Sequence, residues 1–143
     1  MLDFLCHTAA CSPPIRAAQL MGTAFLAILF LQSGLDKIVD RRGNLAWLGE
    51  HFANSPLGGH VALLLTIVTA SEVAAGALSA VGLLVLLVGD TTTLAVAGAV
   101  LAGVSLLMLF LGQRLAKDYA GAALLVPYFL LTLFVLFLYA ASQ

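Results

Sequence analysis

Long apolar runs separated by short polar stretches dominate the chain. The first, Ile15 to Leu35, is interrupted only by Arg16, Gln19, Thr23, Gln32 and Ser33. Ser12 followed by Pro13 and Pro14 reads as an N-cap with proline in the first turn, so a helix is predicted over about residues 15–40. Asp36, Lys37, Asp40, Arg41 and Arg42 then carry the chain out through an interface, and Gly43 is expected to end the helix. Between Asn44 and Asn54, Leu45, Leu48 and Phe52 recur at helical spacing with Trp47 and His51 alongside. That stretch is too short to cross a bilayer and predicts a helix lying in the interface.

Three more runs follow. Residues 60–89 carry a single charge, Glu72. Asp90 and Thr91 to Thr93 form a short turn and candidate N-cap before a helix over 94–112, whose Ala95, Gly98, Ala99, Ala102 and Gly103 would let neighbouring helices approach closely. A polar turn, Gln113 to Tyr119, precedes the last run at 120–141, with Pro127 in its second turn. Tyr119, Tyr128 and Tyr139 are expected in interfacial belts. Each run is about 20 residues or longer, enough for a hydrocarbon core of about 30 Å. The fold class is therefore all-α: an integral membrane four-helix bundle with a short interfacial helix between spans one and two, as a single transmembrane domain covering 1–143.

Composition closes off the alternatives. Hydrophobic residues make up 62% of the chain and charged residues 9%, which excludes a water-soluble fold. A net charge of −1 with six scattered Lys and Arg offers no field for nucleic acid. The basic residues are nevertheless asymmetric. Lys37, Arg41, Arg42, Arg114 and Lys117 lie on the side of the first and third connections, against Arg16 alone on the other. The positive-inside rule then places both termini outside the cytoplasm, on the periplasmic side if the membrane is a bacterial inner membrane. The first fifteen residues contain no basic region ahead of an apolar one, so no secretory signal peptide is expected and the first span inserts and stays. Cys6 and Cys11, the only cysteines, match neither a CxxC motif nor a four-ligand zinc site. On the periplasmic side a bond between them is open.

Glu72 is the residue most able to carry chemistry. It lies roughly 18 Å into its span, near the midplane, where a carboxylate facing lipid costs several kcal/mol. It must face the bundle interior, either as a proton carrier or quinone head-group ligand, or as a structural hydrogen bond between spans one and two. Along the first helix, Gln32 lies about 6 Å from the centre and Lys37 about 12 Å, so Gln32 is expected within easier reach than a bent-in Lys37. Gln32, Lys37 and Trp47 are the candidate head-group ligands, and Glu72 the candidate catalytic residue. His51, His60 and Glu50 lie in an amphipathic connection, not on facing helices, and so do not read as a haem or metal site.

Gly34-Leu-Asp-Lys37 with Arg16 ahead of it, Glu72-Val-Ala-Ala-Gly76 followed by Gly82, and Lys117-Asp-Tyr-Ala-Gly121 leading to Val126-Pro-Tyr128 resemble the DoxX family of small bacterial four-helix membrane proteins. The similarity runs from about residue 15 to 140. It implies a compact bundle in the bacterial inner membrane, and related subunits are associated with thiosulfate oxidation coupled to quinone. More distant eukaryotic relatives look like membrane chaperones or assembly factors. No cysteine falls within a predicted span, and no separate soluble domain to bind sulfur compounds is expected from these residues. The expectation is therefore a small subunit or accessory protein of a larger membrane redox complex, packed against lipid and other subunits. A quinone-linked oxidoreductase component using Glu72 for proton exchange is the alternative. A channel or transporter is disfavoured, because no pair of Gly/Pro-broken spans is present.

Overall fold

The structure, a computed structural model, describes residues 13–142. Cys6, Cys11 and the Ser12 cap lie outside the described residues. Five α-helices are present among these: α1 (Pro13–Val39), α2 (Arg41–His51), α3 (Val61–Val88), α4 (Thr93–Leu115) and α5 (Tyr119–Ala140), with a 3₁₀ turn at Gly58–His60 leading into α3. All but α2 are long and apolar enough to cross a membrane. The chain is an all-α, multi-pass membrane bundle.

Helix α3 is the centre, packed along both α1 and α4, while α5 lies mainly on α4 and more lightly on α1. Two close approaches make this possible. A Cβ on Gly76 would sit 2.6 Å from the backbone nitrogen of Leu31 in α1, and one on Gly98 would sit 2.7 Å from the backbone nitrogen of Ser79 in α3. Ala95, Gly98, Ala99, Ala102 and Gly103 are all buried, the packing face that α4's small residues predict. Between the helices Leu26 and Phe30 of α1, Ala75 and Leu86 of α3, Leu106 of α4 and Val135 of α5 form the apolar core.

Polar groups pin the bundle at the end where residues 13 and 142 lie together. Arg16 donates to the carbonyl oxygens of Leu86, at 2.5 Å, and Gly89, so its guanidinium caps the last turn of α3. Asp90 does not cap α4; its carboxylate is 3.4 Å from Arg16. Gln19 donates to the Leu138 carbonyl at 3.1 Å and to Ser142 Oγ at 2.8 Å. The hydroxyls of Thr23 and Tyr139 bond to each other. Tyr139 is 1% exposed, so it is a core residue and not part of an interfacial belt. Tyr119, by contrast, is exposed and carries the Arg114 guanidinium over its ring.

The boundaries differ from expectation where side chains cap. Gly43 does not end α1. Asp40 does, because its Oδ1 accepts from the Gly43 N–H at 3.1 Å and starts α2 three residues earlier than its apolar pattern suggests. Helix α4 runs on to Leu115 and closes with Lys117 N–H on the Arg114 carbonyl and Asp118 N–H on the Gln113 carbonyl. That closure requires a left-handed residue, and Lys117 supplies it at φ 60°.

Three substitutions test this packing and the α4 closure by thermal unfolding in detergent. Gly76→Ala is expected to destabilise by about 1–3 kcal/mol through overpacking against α1, whereas Gly49→Ala, with open space at its Cβ, is expected to do no harm. Lys117→Gly is expected to stabilise by about 1 kcal/mol by removing a Cβ from the left-handed region.

Candidate functional site

Lys37 and Glu72 meet inside the bundle, with Nζ 2.9 Å from Oε2. Glu72 is 1% exposed and the Lys37 side chain 18%. Ser33 joins them: its Oγ donates to Glu72 Oε1 at 3.1 Å and accepts from Lys37 Nζ at 2.8 Å, and its carbonyl lies 3.3 Å from the same ammonium. The approach of Nζ to Oε2 is that of an ion pair more than of an aligned hydrogen bond, since no group hydrogen-bonds Oε2. The three side chains form a closed ring in which a proton has a short path between nitrogen and carboxylate.

Helix geometry explains why Lys37 bends in. The Cα–Cβ bonds of a helix tilt toward its N-terminus. Helices α1 and α3 run antiparallel, with Leu31 level with Gly76 and Gly34 level with Val73. Lys37 and Glu72 therefore lean toward each other from opposite ends of the contact. Gln32 is exposed and takes no part, which reverses the expectation that it lies in easier reach than Lys37. Depth along the axis is not enough. Four residues separate Ser33 from Lys37, about 40° around the helix, whereas Gln32 is about 140° away.

Beside this pair, a cavity of about 400 Å³ opens beneath α2, lined by Lys37, Trp47, Leu65, Met108 and Gln113 among mostly apolar neighbours. Trp47 is on its rim, 56% exposed and stacked on His51 with ring centroids 4.7 Å apart. Glu72 reaches the cavity only through Lys37. His51 Nε2 is 3.0 Å from Gln113 Oε1 and 3.5 Å from Asp118 Oδ2, which ties the end of α2 to the α4–α5 turn. His60 is exposed on the 3₁₀ turn, apart from that network, and Glu50 is exposed as well. No group of three or more His, Cys, Asp or Glu with metal-site geometry occurs among the described residues.

Three features of this site escape a reading of the sequence. Ser33 looks like one more small polar residue in an apolar run. Gln113 and Asp118 read as turn residues, and only the partnership with His51, 62 positions away from Gln113, makes them neighbours of the cavity. The fold and site together define a four-span α-helical membrane protein with a buried charge pair opening onto an interfacial cavity. Comparison with known proteins finds no matching family model, curated protein or solved structure.

Removing one partner of a buried pair leaves an uncompensated charge, which costs about 3–5 kcal/mol. Lys37→Met and Glu72→Met are each expected to lower the unfolding temperature sharply. The double substitution is expected to recover most of the loss, giving a large coupling energy in a double-mutant cycle.

Proposed function

We propose that the chain is a DoxX-like component of a redox complex in the bacterial inner membrane, and that it binds a quinone head group in the cavity beneath α2. The observation that carries this is the double position of Lys37, at once a partner of Glu72 and a wall of the cavity. A quinone is a flat apolar ring with two carbonyl acceptors. The cavity matches that chemistry: it is mostly apolar, of the size of small-molecule sites, and provides an ammonium donor. It lies at the interface, where an apolar tail can remain in lipid while the head group reaches inward.

The residues divide the work. The Lys37 ammonium donates to a carbonyl in place of its longer bond to the Ser33 carbonyl. Trp47 lies at the rim, where a ring can stack. Nζ holds the transferable proton; once it passes to the ring oxygen, the Glu72 carboxylate, linked to Nζ through the Ser33 hydroxyl, favours the return of a proton from the aqueous side and the re-forming of the ammonium. Reduction of a bound quinone takes up two electrons and two protons. The electrons would come from a partner protein, and the chain's own part is to hold and pass the protons. The excess of Lys37, Arg41, Arg42, Arg114 and Lys117 at the α2 end supports a cytoplasmic location for that end and a periplasmic one for both termini. Protons would then be drawn from the cytoplasmic side.

Trp47 is the chain's single tryptophan and provides the readout. In lipid nanodiscs, a short-chain benzoquinone is expected to quench its fluorescence saturably. Lys37→Met is expected to weaken that binding by about tenfold or more, as for loss of a hydrogen bond to a charged group. Glu72→Gln is expected to keep binding and lose proton uptake on reduction of the bound quinone. Quenching that rises without saturation, and equally in a Gly112→Phe variant whose ring fills the cavity, would reduce the effect to partition into lipid and remove the proposal.

A further inference from the structure

Building on that head-group site, we infer that Gln113 is its second polar ligand and that His51, held by Asp118, is the positioning residue that turns the Gln113 amide NH₂ into the cavity. The inference comes from the protons. Two oxygens face His51 Nε2, Gln113 Oε1 at 3.0 Å and Asp118 Oδ2 at 3.5 Å. A bare Nε2 would set its lone pair against a carboxylate, so this nitrogen carries hydrogen and donates to Oε1. With Oε1 engaged, the amide is fixed: a flip would bring NH₂ against an N–H donor. The two amide hydrogens of Gln113 are then left for the cavity it lines, and no described residue accepts from them.

The surroundings orient the imidazole and the carboxylate in this arrangement. The imidazole is stacked on Trp47 at 14° and meets Phe52 edge-on with centroids 5.1 Å apart. Asp118 is fixed in turn, because its Oδ1 accepts from the Gly121 N–H at 2.8 Å as the N-cap of α5. The left-handed Lys117 immediately before it is what folds the chain back so that the second carboxylate oxygen faces His51. A non-glycine residue in that conformation costs about 1–3 kcal/mol and persists where surrounding structure requires it. The cavity thus receives one donor from α1, Lys37, and another from α4, Gln113. Two donors on separate walls suit a ligand with two separated acceptors, the two carbonyls of a quinone ring.

The test compares a short-chain benzoquinone with a cyclohexenone bearing the same alkyl chain, which has one carbonyl, by Trp47 quenching in nanodiscs. Gln113→Met is expected to weaken quinone binding by about tenfold and to leave the cyclohexenone unchanged, as for loss of a single hydrogen bond. His51→Phe, which keeps the stacking on Trp47 and removes the donor, is expected to give a smaller loss in the same direction and with the same ligand selectivity. His51→Gln is expected to restore quinone binding. A merely structural role for His51 or Gln113 would weaken both ligands alike. Should Gln113→Met not assemble, Gln113→Glu removes the same NH₂ while keeping the side-chain shape. Saturable binding to the wild type, with each ligand held by the Gln113 variants as tightly as by the wild type, overturns the assignment of Gln113 alone. Absence of saturable binding to the wild type overturns the head-group site as well.

Discussion

A carboxylate near the middle of a 28-residue apolar helix has few tolerable environments, and the bundle is arranged around the one Glu72 occupies. Its oxygens need a cation and a hydroxyl at bonding distance. Both come from a single turn of α1, so α1 must lie against α3 with Ser33 and Lys37 at the level of Glu72. Long side chains reach across a normal interhelical gap, but a serine does not. Gly76 removes the side chain that would hold Leu31 off α3, and Ser33 then comes within 3.1 Å. Once that register is set, Arg16 arrives at the far end of α3, where two carbonyls lack helical partners. One charge pair thereby fixes the relative height of two helices along their whole contact.

How far the sequence reveals this differs from element to element. The four spans are legible because lipid requires about 20 apolar residues in each, and the packing face of α4 is legible because Ala and Gly recur at helical spacing. That Glu72 turns inward follows from solvation alone. Its partner is harder, because a partner is chosen by angle around the helix as much as by depth. Arg16, Gln19, Thr23, Phe30, Gly34 and Lys37 recur at three, four and seven residues and form one stripe. Gln32 lies off it, at the right depth on the wrong face. Tyr139 misleads for a related reason: a tyrosine near a span's end fits an interfacial belt, and its buried partners, the Thr23 hydroxyl and the Gln19 carbonyl, lie on the distant α1. The start of α2 is obscured by Gly43, which looks like a terminator and instead supplies the N–H that Asp40 caps. Contacts across 62 residues, such as His51 with Gln113, have no local signal at all.

Rigidity is unevenly distributed between these parts. Helices α1, α3 and α4 bury six, eight and seven residues, whereas α2 buries none. It is held by the Asp40 junction, by Arg41 donating to Thr66 Oγ1 at 2.7 Å, and by the His51 network at its other end. Segments with few buried apolar contacts open at lower free energy than the core around them. The Lys37–Glu72 pair therefore belongs to the stiff part of the molecule and the roof of the cavity to the loose part. For an amphiphile that arrives from lipid this division is favourable. Under the proposed head-group site, the groups that hold the proton stay in place while the wall that admits and releases the ring can move. A cavity enclosed by α1, α3 and α4 alone would hold the same polar groups and exchange its ligand far more slowly, because opening it would break the α1–α3 contact on which the burial of Glu72 depends.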